Sequence, residues 1–258
     1  MGSTVPASRV NEYLVKKLYQ DLAVESVVAT QVIIREDSVV GSDDGTTIMI
    51  APADINVDIT VSGKNGLDTG SPADGWYELY MIYNPSTEEV AGLLVAFGLA
   101  PIMPSGFTKK RFISTVRRSS GNFLQYQQDG DRVHFEFSQG LFATTSSSGN
   151  YFGAAVSSAV PWPRSKEGFM HGYARANSDG GNDTLICFIR GNHHGTPVSS
   201  LGSHIAFLID NVPANALDDR PFGQFNMPVD VGMVSCGLNP FSVTHFISLA
   251  CAGYVLLL

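Results

Sequence analysis

WYELYMIYNPSTEEVAGLLVAF, residues 76–97, is the stretch from which the rest of the chain is read. Aromatic and aliphatic residues fill positions 76–84, Asn84-Pro85-Ser86-Thr87 interrupts them, and an apolar run resumes over 91–97. Proline fixes φ and lacks a donor, so Pro85 closes one extended run before the next begins; this is the pattern of a β-hairpin. Upstream, Gly66-Leu67-Asp68-Thr69-Gly70 leads into the pair. Downstream, the turn-rich run 100–107 (APIMPSGF) opens a further strand ending at Phe112-Ile113, followed by Val116-Arg117 and Ser120-Gly121-Asn122-Phe123. The region is therefore a succession of short strands joined by turns.

The same habit extends outward in both directions. Ile55, Val57, Ile59 and Val61 alternate with Asn56, Asp58, Thr60 and Ser62, which predicts a half-buried strand. Val133, Phe135 and Phe137 alternate with His134 and Glu136 in the same way. Other strands are expected over 27–34, 46–50, 111–116, 169–174, 184–190, 204–209, 229–235 and 241–249, separated by clusters of Gly, Asp, Asn and Ser. Many short strands without intervening helices predict an all-β protein: an antiparallel two-sheet sandwich, jelly-roll-like, with a short N-terminal helix. The expected organisation is an arm over 1–26 and one β-sandwich domain over 27–258. Should there be two lobes, the Ser- and Thr-rich stretch 144–150 is the expected boundary.

In composition the 258 residues are 44% hydrophobic, 10% aromatic and 16% charged, with 26 Gly. The charged share is below the usual figure of about 25%. The net charge of −8 disfavours binding to a phosphate backbone, so no nucleic-acid partner is expected. A basic cluster at Lys109-Lys110-Arg111 with Arg117-Arg118 reads either as a solvated strand edge or as a salt-bridge partner for an acidic neighbouring subunit. Cys187, Cys236 and Cys251 have no metal-ligand spacing, and each lies in an apolar run. Val5-Pro6-Ala7-Ser8 precedes a polar amphipathic segment rather than an apolar leader, from which assembly in a cytoplasm is expected.

The stretch GLDTG (66–70), followed by WY (76–77), NPST (84–87), the turn and strand PSGFTKKRFI (104–113) and then VRRSSGNF (116–123), resembles a segment that recurs in tailed-bacteriophage virion proteins, chiefly tail fibres and other appendage proteins. The resemblance covers roughly a quarter of the chain and rests on several short matches in one order. It implies a fold and a setting, the virion, and not one job within it.

Apolar residues Val10, Tyr13, Leu14, Leu18 and Leu22 fall at helical spacing over 9–22, with Ser8 as the expected N-cap. Such a helix is about 20 Å long and marginal alone in water, so it must dock. The surface it meets is either its own sandwich or a neighbouring subunit, and in the second case Val10, Leu14 and Leu18 are the interface. Residues 246–258 carry no charge and end in Leu256, Leu257 and Leu258. At that length they are too short to span a membrane, which takes about 20 apolar residues, so no membrane insertion is expected. A buried central strand is one reading, and a subunit interface is the other. Pro161-Trp162-Pro163-Arg164 sets an aromatic between two prolines beside a cation. Trp162 and Arg164 are the candidate contacts for a host glycan or protein, the alternative being a Trp folded back to seal one end of the sandwich.

Catalytic chemistry finds little footing. The chain has no Gly-x-Ser-x-Gly elbow, phosphate loop, His-Glu-x-x-His or Cys-x-x-Cys. Asp37, Asp43 and Asp44 lack the alternating spacing and closing Glu of a calcium loop, and adjacent His193 and His194 cannot chelate one ion well. His134 and Glu136 share a strand face but read as ordinary polar surface. No catalytic residue, metal or cofactor is expected. The expected function is a non-enzymatic virion component of a tail appendage, a homo-oligomer, most simply a trimer, that contacts other virion proteins and a host surface glycan or protein. A capsid decoration or cement protein is the alternative. A glycan depolymerase fits less well, because the chain lacks the fixed-period repeats of a long β-helix.

Overall fold

The computed structural model describes residues 7–146, 151–155, 159–161, 163–177, 183–191, 205–212, 217–228, 233–239 and 244–258. Among these the chain is all-β, built of several mainly antiparallel sheets with one short helix. It divides into two compact units, residues 1–133 with Leu258 and residues 134–257. This differs from the single body expected over 27–258, and the division falls ahead of the 144–150 stretch. The N-terminal helix belongs with the first unit rather than standing apart as an arm.

The first unit opens with helix α1 (Ala7–Lys16), then β1 (Tyr19–Gln20), β2 (Ala23–Val28), β3 (Gln31–Ile34), β4 (Val39–Gly41), β5 (Ile48–Ile50) and β6 (Ile55–Asp58). It continues with β7 (Gly66–Leu67), β8 (Gly75–Asn84), β9 (Glu89–Ala96), β10 (Lys109–Ser119), β11 (Asn122–Phe123) and β12 (Tyr126–Asp129). Strands β1, β4 and β5 form a small sheet in the order β1-β4-β5, and the quoted hairpin is the centre of another, β11-β10-β8-β9-β7. In the latter β7 runs parallel to β9, a departure from the antiparallel expectation, because Gly66 and Leu67 pair with Leu93 and Leu94 from a loop rather than from a hairpin. Within this unit β12, β2, β3 and β6 are neighbours in that order.

Two of these layers are pressed together. A Cβ added at Gly92 on β9 would lie 2.2 Å from Val57 Cγ2 on β6 and 3.3 Å from Ile34 Cδ1 on β3, so the approach needs a residue without a side chain. Tyr77 meets Phe123 edge to face at 6.3 Å. Gln128 Nε2 donates to the Ile113 carbonyl at 2.9 Å. The interior so formed holds Leu79, Met81, Leu94, Val32, Ile34 and Val57, none with appreciable exposure. The alternation over 55–61 yields a strand that stops at Asp58, because that carboxylate accepts from the Thr60 amide (2.9 Å) and hydroxyl (2.7 Å) and turns the chain.

The helix is shorter than the periodicity predicted. It ends at Lys16, and Leu18 lies beyond it, its carbonyl accepting from Gly41 N at 3.0 Å in the join between β1 and β4. Ser8 lies inside the helix rather than capping it. The local pattern failed here because Leu18 and Leu22 keep a helical spacing while serving an extended segment; Leu22 is buried among strands.

The second unit follows β13 (Arg132–Ser146) with β14 (Tyr151–Ala155), β15 (Ser165–Asn177), β16 (Asp183–Gly191), β17 (Ile205–Val212), β18 (Leu217–Pro228), β19 (Met233–Asn239) and β20 (Thr244–Leu256). One group of strands runs β18-β15-β20-β13, and a four-stranded sheet runs β14-β19-β16-β17. Strand β18 was not foreseen, since Pro221 and Gly223 break its pattern; it is an edge strand, where proline is tolerated. On the β20 side Phe135 packs against Tyr254 at 5.7 Å.

Candidate interaction surfaces

The basic and acidic clusters of the sequence are two halves of one arrangement. The turn between β4 and β5 carries Asp43 and Asp44 and lies against β10. Lys109 Nζ meets Asp44 Oδ2 at 2.5 Å and Thr46 Oγ1 at 2.9 Å; Arg111 reaches Asp43 at 3.4 Å; Asp43 N donates to the Lys110 carbonyl at 2.9 Å. Arg111 also donates to the Lys16 carbonyl at the C-terminal end of α1 (2.8 Å), where a cation suits the helix dipole, and stacks over the Tyr19 ring at 4.4 Å. Farther along β10, Arg118 meets Asp74 at 3.4 Å. Lys109, Arg111 and Arg118 of the basic cluster thus find their acidic partners within the same chain. Strand β11 pairs with β10 at Arg118 and Ser119 alone, so the Lys109–Arg111 stretch has β8 as its one strand neighbour among the described residues, and the β4–β5 turn lies along its other side.

Burial would raise the Asp44 carboxyl, but hydrogen bonds from Lys109, Ser42 and Thr46 overcome it and hold the group well below its ordinary value. Asp58 is lowered in the same manner: burial opposes, and donors on Gln31, Thr60 and Thr30 prevail. These carboxylates hold turns, as does Asp74, which accepts from Gly121 N (3.0 Å) and Ser120 N (2.7 Å).

Helix α1 packs in its own chain. A Cβ on Gly41 would fall 1.7 Å from the Val15 carbonyl oxygen, so the helix rests directly on β4. Leu14 stays 60% exposed and Tyr13 62%. Leu18 is half-buried, and the Val10 side chain lies outside the described residues. The expected stripe of Val10, Leu14 and Leu18 is therefore not one helical face.

At the other end of the chain, Leu256 is buried in β20, Leu257 is 50% exposed and Leu258 half-buried. Leu257 N donates to the Arg164 carbonyl at 2.8 Å, and Arg164 N to the Pro161 carbonyl at 2.8 Å. This brings Arg164 beside the C-terminal strand, a juxtaposition the sequence did not suggest; Trp162 lies outside the described residues, as do His193 and His194. Cys251 is fully buried and donates to the Gly253 carbonyl at 3.0 Å. His134 stacks on Phe169 at 5.0 Å with the rings 11° apart, and His171 Nε2 lies 2.6 Å from Ser138 Oγ on the surface. Among the described residues no group of three His, Cys, Asp or Glu is placed to hold a metal ion, and no helix is long and apolar enough to cross a membrane.

Sequence reasoning missed the exposed apolar positions Ile48, Ile50, Leu99, Ile102 and Phe137. An Ile-Met-Ile run cannot by itself tell an edge strand from a core one, and Phe137 continues an alternation whose first two members are buried.

In comparisons with known proteins, no family model matches the chain, and no curated protein matches it.

Proposed function

We propose that the chain is a non-enzymatic structural protein of a tailed-bacteriophage virion, a self-associating component of a tail appendage that is assembled in the host cytoplasm and meets a host surface glycan or protein. Three copies per assembly is the state proposed. The reading starts from the resemblance over 66–123. One observation supports it: the polar residues of that segment are engaged in holding turns. Asp68 accepts from Thr69 N (2.7 Å) and Ile102 N (3.0 Å), so one carboxylate pins two loops. Asn84 Oδ1 accepts from Ser86 N at 3.0 Å within the NPST turn. Gly106, at φ +83°, lies where a Cβ would meet the Asn84 amide at 2.6 Å. Residues so engaged are scaffold, which suits a particle component better than a hydrolase.

Exposed Leu14 and Leu257 are the proposed apolar contacts with other subunits, and Arg164 the proposed polar contact with a host surface. The test is mass spectrometry of purified, nuclease-treated particles. The chain is expected to co-purify with the particle in constant proportion to the other structural proteins through a density gradient. Its absence from infectious particles that contain those proteins would overturn the reading.

A further inference from the structure

Among the described residues, strand β5 has no strand partner on one edge of the β1-β4-β5 sheet. Ser42 N donates to the Thr47 carbonyl (2.8 Å) and Ala51 N to the Ser38 carbonyl (3.0 Å), while Met49 is in register with Val40. Antiparallel pairs alternate between bonded and non-bonded, so Ile48 and Ile50 direct their N–H and C=O groups away from β4. The other neighbour confirms the alternation, since Gly41, opposite Ile48, donates to Leu18 on the β1 side at 3.0 Å. Among the described residues β5 pairs with β4 alone. Four outward backbone groups are therefore accompanied by two isoleucines, each 51% exposed, with Met49 between them fully buried.

Edge strands are ordinarily guarded by charge, proline or a bulge. Residues 45–53 (GTTIMIAPA) carry no charge, and Pro52 lies beyond the strand end. A chain of net charge −8 repels its own copies except where its acids are matched. Here they are matched: Asp44 with Lys109, Asp43 with Arg111, and Glu12 with Lys16 at 2.7 Å.

We propose that β5 pairs with β5 of a second copy, antiparallel about a two-fold axis near Met49. Ile48 of each copy then faces Ile50 of the other, and their outward groups exchange four backbone hydrogen bonds, the reciprocal pattern that a two-fold interface requires. The β-branched side chains cover each other across the strand pair. Register is limited at both ends, because Pro52 has no donor and Gly45, at φ +73°, turns the chain away. A three-fold body would use the contact to join a neighbouring body.

The inference rests on the self-association proposed above and names its surface. The test is sedimentation equilibrium of the full chain at micromolar concentration, with Ile50→Lys and Ile50→Pro alongside. The Ile50 N–H points away from β4, so proline removes the intermolecular donor and leaves the hairpin ladder intact. Both variants are expected to keep the wild-type circular dichroism and to sediment at half the wild-type mass. Unchanged mass in both would overturn the edge pairing while leaving self-association standing. A monomeric wild type would overturn both, and would hand the edge to an extended segment of a different protein.

Discussion

Asp44 shows how single side chains hold this molecule. Its carboxylate collects the Ser42 hydroxyl at 2.6 Å, the Thr46 hydroxyl at 2.8 Å and the Lys109 ammonium at 2.5 Å, and so ties the β4–β5 turn to the start of strand β10. Since its folded pKa is depressed below the unfolded value, the unfolded state takes up a proton first as the solution is acidified. The contribution is fully present above about pH 4 and is lost as pH falls below it. Asp44→Asn is therefore expected to lower the thermal midpoint near neutral pH and to show a shallower further loss than wild type between about pH 4 and pH 2. Thermal melts across that range check it; parallel curves for the two proteins would refute it. Cys251 behaves in the opposite sense. Burial pushes its thiol up to about 12, so the reactive thiolate is scarce at neutral pH. Peptide mapping after treatment with a thiol reagent is expected to show Cys251 unmodified in the native protein and modified after unfolding.

At the scale of elements, the approach of β9 to β3 and β6 depends on Gly92. Gly92→Ala drives a methyl group into Val57 and is expected to cost about 1–3 kcal/mol in urea unfolding, part of which Gly92→Ala with Val57→Ala recovers. Strict additivity of the two changes would mean that the layers do not meet there. Helix α1 makes the converse case. Leu14→Ser alters an exposed residue and is expected to stay within about 0.5 kcal/mol of wild type. Removal of residues 1–16 uncovers Gly41 and the sheet beneath it and is expected to lower the thermal midpoint clearly; an unchanged midpoint would return the helix to the role of a detached arm.

The hairpin of residues 76–97 was legible in the sequence because its turn chemistry and its apolar runs agree. Strand β18 was not legible, because an edge position excuses a proline that local propensity counts against a strand. The helix was read too long because Leu18 and Leu22 keep a 3.6-residue spacing although tertiary pairing with β4 and burial beside Gly130 claim them. The site was less legible still. The pairing of Asp43 and Asp44 with Lys109 and Arg111 joins positions more than sixty residues apart, and nothing in either cluster specifies the other. The exposure of Ile48 and Ile50 follows from sheet order, which composition does not encode.

For the whole molecule, the proposal is of a particle component that associates with copies of itself, supported by the polar residues held in turns and the exposed apolar positions. The measurement that bears most directly on this is image reconstruction of intact particles carrying a small fused tag at the N-terminus of the chain. The account predicts tag density repeated symmetrically about the tail axis, and its absence in particles lacking the protein. Tag density arrayed over the capsid lattice, or no tag density on otherwise complete particles, would contradict it.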